Sequence, residues 1–347
     1  MQREEAIKLI KSARHEGKIP DLSQADLRTA DLQRVDLRGA NLRGANLAGA
    51  NLTKANLLRT NLAGANLSQS KLMGARLHGA ILTEANLSGA DLTGDRMETA
   101  NLNQANLGHA CLRQANLRAA QLEGATLTET NLQSSDLSQA NLSQANLRRA
   151  NLRDARLVGT ELAQAQLQEA NLNKADLTKA KLSGANLNAT NLREANLPQA
   201  DLSKTDLSKT FLWAAHLNEA ILTEVNLQGV DLHKTTLQGA NLSGANLQKT
   251  QLVGNDLSRT NLSGANLSGA DLSEANLSGA DLSEANLREA TISEAQLDTA
   301  LTLSGATMPD GAKRPADSPP SERSGSKRKP DVNRLAEAAA RLRKKAK

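Results

Sequence analysis

Five histidines and one cysteine are the residues of this chain best suited to metal or nucleophilic chemistry, and their spacing supports neither. His15, His78, His109, His216 and His233 are scattered, and Cys111 stands alone, so no intramolecular disulfide and no multi-cysteine metal site can form. His216 and His233 come nearest to sharing a place, with Asp231 as the only nearby acid, which falls short of a metal-ligand set. Carboxylates are abundant, but they recur at the outward positions of a repeat, without the concave, partly dry pocket that catalysis needs. No Ser-His-Asp order, phosphate loop or dinucleotide fingerprint occurs. The residues therefore point away from an enzyme, a metal site or a cofactor.

The aromatic residues are more informative. The chain has one Phe, one Trp and no Tyr among 347 residues, and both aromatics fall in the stretch KTFLWAAHL, residues 209–217. With aromatics at 1% the bulky side chains that usually fill a globular core are missing, so something else fills it.

That filler is leucine on a five-residue clock. From Leu22 to Leu297 every fifth residue is Leu except Met97 and Ile292, over 56 consecutive units. Ala stands two residues before in 39 of them and Asn or Asp immediately before in 38, giving Ala-(Asn/Asp)-Leu-X-X. A five-residue step on an α-helix rotates the leucine stripe by about 140° and scatters it, and on a flat strand an odd period sends successive leucines to opposite faces. Only a short extended piece followed by a corner at X-X brings each Ala-Leu pair back inward. A chain that turns the same way every five residues coils, and the coils stack through their backbones.

This run of units resembles the pentapeptide repeat proteins. The resemblance, over residues 20 to about 300, implies an all-β solenoid, a right-handed quadrilateral β-helix with four units per coil, here about 14 coils. Asp21, Asp26, Asp31 and Asp36, four successive Asp slots before Asn takes over at Asn41, are a faint mark of the four-sided coil.

Four segments are expected. Residues 1–19 read as an N-terminal capping helix, with Ala6, Ile7, Ile10 and Ala13 at helical spacing and Gly17 as its stop. The β-helix takes 20–308: Thr302 takes a Leu slot, the clock slips by one to Leu303 and Met308, and the repeat ends there. Residues 309–330 read as a disordered linker rich in Pro, Ser and charge, and 331–347 as a short basic amphipathic helix. The N-terminal stretch has no apolar run long enough for a signal peptide or membrane span, so a soluble, cytoplasmic protein is expected. Lys313-Arg314 and Lys327-Arg328-Lys329 have the spacing of a bipartite nuclear import signal, which would matter only in a eukaryotic host.

Charge separates the segments: residues 1–20 sum to +2, 21–300 to −4 and 301–347 to +7. Within the repeat, 21–160 sum to +3 and 161–300 to −7, and 261–300 form an acidic collar of −6. Phe211 and Trp213 both flank Leu212 and so point outward on one rung; Val253 lies two rungs above on that face, and His216 and Ile221 follow on the next two. These five residues are a candidate partner-binding surface, because exposed aromatics are what interaction hot spots use. Lys313, Arg314, Lys327, Arg328, Lys329, Arg341, Arg343, Lys344 and Lys345 are candidate contacts for an anionic partner such as nucleic acid. The apolar stripe of the last segment also allows pairing with a second copy, and its cations allow a return to the chain's own acidic collar. The leading expectation is a non-enzymatic scaffold that binds protein partners along its sides. One alternative is implied by the family, some of whose members mimic DNA and bind DNA gyrase; the other is nucleic-acid tethering through the tail.

Overall fold

The computed structural model describes residues 3–316. Parallel bridges join Asp21 to Asn41, Asp26 to Asn46, Asp31 to Asn51 and Asp36 to Asn56, and the same twenty-residue offset recurs along the repeat. Twenty residues are four units, so each coil has four sides. We number the faces from the first coil: Asp21 starts the first, Asp26 the second, Asp31 the third and Asp36 the fourth.

Each corner is a β-turn that starts at Leu. The Leu22 carbonyl accepts the Ala25 N–H at 3.2 Å, and the second residue after Leu is left-handed, as at Gln24 (φ 57°) and Gly39 (φ 64°). Positive φ in that place defines a type II turn. Most of these corners are not glycine, so each costs free energy locally. Three inter-coil bonds per unit offset that cost, illustrated by Leu22 N–H to Asn41 O (2.7 Å), Gln24 N–H to Arg43 O (2.9 Å) and Asn41 N–H to Pro20 O (2.8 Å). From Gln24 to Glu289 the only corner residue outside the left-handed region is Lys209.

Leu and Ala fill the interior as their two-residue spacing demands, and nearly all are completely buried. All nine threonines in Ala slots are also buried, and each hydroxyl donates to a leucine carbonyl. Thr60, for example, reaches Leu37 O of the coil below at 2.8 Å, whereas Thr250 bonds Leu247 O of its own turn at 2.7 Å.

Helix α1, Arg3–His15, covers the first coil. It buries Ala6 and Ile10 in the leucine core, while Arg14 meets Asp36 at 2.8 Å and Arg3 donates to Asp31 O at 2.6 Å. At the far end α2, Glu294–Leu297, takes the place of a rung on the fourth face. Its Gln296 amide donates to Leu272 O and Ala275 O, at 2.7 and 2.8 Å.

Stacking continues through the slip of the clock. Thr302 and Thr307 bridge Asp281 and Asn286 at an offset of twenty-one, so α2 absorbs the extra residue and stacking resumes. Thr302 occupies an Asn/Asp slot of the shifted register. The residues expected to open the linker, from Pro309, instead fold back: Thr307 pairs antiparallel with Lys313, and Arg314 N–H donates to Ala306 O at 2.8 Å. This hairpin covers the last strand edge, which would otherwise be open to pairing with another chain. The compact unit runs to Arg314, and the basic helix expected at 331–347 lies outside the described residues.

Candidate functional site

The Asn/Asp slots, whose purpose the sequence left open, work in two directions. Asn66 Oδ1 accepts the Ser68 N–H of its own turn at 3.1 Å, and also Nδ2 of Asn86 in the next coil at 3.4 Å; Asn66 Nδ2 in turn reaches Asn46 Oδ1 at 3.3 Å. An Asn therefore donates to the coil before it. The first coil has none before it, and there Asp, which only accepts, fills all four slots; Asp21 and Asp31 take Asn41 and Asn51 from above.

Where other residues replace Asn or Asp, the surface becomes specific. Phe211 and Trp213 lie on the third face, 45% and 38% exposed, on either side of the buried Leu212. Each ring is covered by a cation from an adjacent coil: the Arg193 guanidinium 4.5 Å from the Phe211 centroid and the Lys234 ammonium 5.2 Å from that of Trp213. Such contacts contribute about 0.5–1 kcal/mol at exposed sites and hold the rings in place. A cleft of 240 Å³ opens beside them, lined by Arg193, Lys209, Phe211, Trp213, Val230 and Asp231 among others. A second of equal volume adjoins it round the corner and shares Ser208 and Lys209.

Val253, exposed, stands on the same face two coils above Trp213. His216 is one face round, its Nδ1 3.4 Å from the Thr236 hydroxyl. Ile221 is two faces round, on the opposite side of the coil, so it shares no surface with the aromatics. Sequence reasoning passed over Arg193 and Lys234, which lie eighteen residues below and twenty-one above the aromatic each one covers; the twenty-residue coil was the available signal.

The anionic-contact candidates divide. Lys313 and Arg314 belong to the terminal hairpin, and the Lys313 ammonium is 3.6 Å from Glu284 of the acidic collar. Lys327, Arg328, Lys329, Arg341, Arg343, Lys344 and Lys345 lie outside the described residues. Farther down, the cluster Arg148, Arg149, Arg153 and Arg156 is partly neutralised: Arg149 meets Glu169 at 2.8 Å and Arg153 meets Asp154 at 3.3 Å. Among the described residues no group of three or more His, Cys, Asp or Glu could hold a metal ion, and no helix is long and apolar enough to cross a membrane.

A chain coiled every twenty residues on stacked leucines defines a class, and the comparisons agree with it. The family profile for pentapeptide repeats matches residues 21–139 and 145–301 in overlapping segments. The chain belongs to the pentapeptide repeat family. A search of curated proteins finds no match. Among solved structures it is similar to HetL, a pentapeptide repeat protein involved in heterocyst differentiation regulation from the cyanobacterium Nostoc sp. strain PCC 7120. The identity is 30%, over 88% of this chain and 98% of that one, with a TM-score of 0.18. It is similar also to QnrB1, a plasmid-mediated fluoroquinolone resistance protein, at 18% identity over 53% of this chain and 89% of that one, TM-score 0.33. Rfr23 of the cyanobacterium Cyanothece 51142 is 33% identical over 36% of this chain and 86% of its own, TM-score 0.21.

Proposed function

We propose that this chain is a non-enzymatic scaffold of about 14 coils that holds a protein partner on its third face, with Phe211 and Trp213 as the anchor. The observation that carries this reading is the pair of exposed aromatics, each braced by a cation, beside a cleft. Large apolar rings held rigid before binding lose little side-chain entropy on docking, which favours them as anchors. The basic segment beyond Arg314 would be a second, electrostatic contact.

Partner capture from extract by three forms tests this: the intact chain, the double substitution Phe211→Ser with Trp213→Ser, and a truncation after Arg314 that spares the terminal hairpin. Loss with the double substitution, and retention in high salt, is the expected result. Capture that instead needs residues 315–347 and vanishes in high salt would move the function to the tail. Capture of a topoisomerase that duplex DNA displaces, indifferent to both changes, would favour a DNA mimic.

A further inference from the structure

Low on the repeat three cations interrupt the Asn/Asp slots. Lys71 on the third face and Arg76 and Arg96 on the fourth stand where Asn or Asp is the rule, and Arg76 and Arg96 are bridge partners in adjacent coils. Their backbones are about 4.8 Å apart, so two guanidinium side chains leave the sheet side by side with like charge, which is destabilising. The Asn slots on either side show what is given up. Asn56 Oδ1 accepts the Leu58 N–H at 3.4 Å and Asn116 Oδ1 the Arg118 N–H at 3.2 Å, whereas the N–H groups of Met73, His78 and Glu98 find no acceptor in their own slots.

Nothing among the described residues compensates. Lys54 and Arg59 in the coil below, with Arg118 in the coil above, extend these three into a patch of six exposed cations. None of the six meets a carboxylate or donates a side-chain hydrogen bond among the described residues. The acids nearby are engaged elsewhere. Asp91 Oδ1 takes the N–H and the hydroxyl of Thr93 at 3.1 and 2.7 Å, Glu98 Oε1 takes Asn116 Nδ2 at 2.8 Å, and Asp95 is turned into the core. A local rule broken at a cost, with no gain inside the fold, points to a partner outside it.

The charge has a side as well as a height. Over residues 21–160 the units of the third and fourth faces hold eleven basic and seven acidic residues, and those of the first and second hold four and five, so the positive excess is confined to one side. Thirteen of those fifteen cations are arginine, whereas seven of the ten in 161–300 are lysine. The planar guanidinium fork meets two phosphate oxygens at once, where lysine acts as a point charge.

We propose that the third and fourth faces around Arg76 and Arg96 are a docking surface for the phosphate backbone of duplex DNA. This goes beyond the protein-docking reading and is independent of it, since the patch spans coils two to five and the aromatic anchor is on coil ten. The six cations rise over three coil steps, about 14 Å, a length on which B-DNA carries about eight phosphate charges. The patch has no aromatic ring on which unstacked bases could lie, which disfavours a single strand. Its corners are tight turns with no loop or helix to enter a groove, and its cations only donate, so it is suited to phosphate rather than to base edges or the 2′-hydroxyls by which duplex RNA is recognised. Binding is accordingly indifferent to base sequence.

The test measures a labelled DNA duplex of two helical turns by fluorescence anisotropy over a salt series, with the intact chain and with the compact unit that ends at Arg314. With four to six phosphates neutralised, log K for the shorter chain should fall against log salt with a slope of about −4 to −5. Arg76→Asn with Arg96→Asn should weaken binding about tenfold or more and make the slope shallower by about 2, in both chains. The same change restores an unbroken Asn run from Asn56 to Asn116 and removes the apposed charges, so the melting temperature should rise. Lost binding in a more stable fold is the expected pair of results, and it rules out misfolding as the reason. A lower melting temperature would make the two arginines structural and overturn the proposal. Duplex binding that the substitutions leave unchanged, and that truncation after Arg314 abolishes, would overturn it in favour of the tail. Equal or tighter binding of single-stranded DNA, duplex RNA, anionic vesicles or poly-glutamate, with the same dependence on Arg76 and Arg96, would overturn duplex DNA as the partner. No binding by either chain at low salt would overturn the surface itself.

Discussion

At the scale of single residues, amide and carboxylate are not interchangeable on this surface or in this core. Asn86 accepts from Asn106 above and donates to Asn66 below, so Asn86→Asp keeps the first bond and loses the second. A loss on the order of 0.5–1.5 kcal/mol in urea unfolding is expected, whereas Asp21→Asn, with no coil beneath it, should be nearly neutral. Asp95 is the sharper case. It is completely buried, its Oδ1 accepts the Ala75 N–H at 2.8 Å and its Oδ2 has no partner, and burial pushes its carboxyl well above the ordinary carboxylate range. A raised folded pKa means the native state binds the extra proton, so stability falls as pH climbs from about 4 through the raised value. Asn255 shows the remedy: its Nδ2 reaches the carbonyls twenty and twenty-three residues back, Thr235 O and Leu232 O. Asp95→Asn places the same donor over Ala75 O and Leu72 O, and should raise the melting temperature at pH 7 and flatten that pH slope. The cost of an inward acid was legible from sequence, but the two carbonyls were not, because they come from the coil below.

At the scale of elements, the two ends are closed by different means. α1 rests on Ala6 and Ile10 and on the Arg14 to Asp36 pair. Asp36 is held below the ordinary carboxylate range by Arg38 first and then Arg14. A lowered folded pKa gives stability that is complete above the unfolded value of about 4 and is lost as pH falls through the folded one. Acid or Arg14→Ala should therefore quicken amide exchange in α1 before the coils respond. Ile10→Ala should cost about 2–5 kcal/mol of its docking. At the other end, truncation after Met308 strips the hairpin from the Thr307 edge, while truncation after Arg314 does not. The shorter chain should melt earlier and associate in size-exclusion chromatography; the longer one should stay as the intact protein does. The helix was readable from its apolar spacing and its Gly17 stop. The hairpin was hidden because Pro, Gly and charge from residue 309 onward carry the composition of a linker, and only the open strand edge beside them makes a fold of it.

At the scale of the whole repeat, stability is the sum of coil-to-coil interfaces, and those interfaces are unequal. Leu87→Ala, in an unbroken stretch, should cost about 2–5 kcal/mol in thermal or denaturant unfolding. Val230→Ala with Thr210→Ala, at the third-face step where the bridge from Phe211 to Asp231 is missing, removes buried carbon as well, yet it should cost less than Leu87→Ala, because the two absent bonds, Leu212 N–H to Asp231 O and Asp231 N–H to Thr210 O, worth about 0.5–1.5 kcal/mol each, can re-form. A full large-to-small penalty there would mean that the gap has another cause. The aromatic pair was visible in the sequence, and so was Val253 on its face. Ile221 was legible as apolar and outward but falls on the far side of the coil, so the five candidates are not one surface.

The sequence by itself determined the coil: a five-residue period of Leu with Ala admits one way of burying both, and the period is local enough to read without contacts. The tertiary structure alone decided where the coil is imperfect. Thr60 and Thr210 are the same substitution in the same slot, and one leaves the ladder whole while the other borders a gap. What lies twenty residues away differs, Ala above and below the first, Thr below and Val above the second, where the step to Thr190 keeps its bridge and the step to Val230 does not; packing is settled in that neighbourhood rather than along the chain.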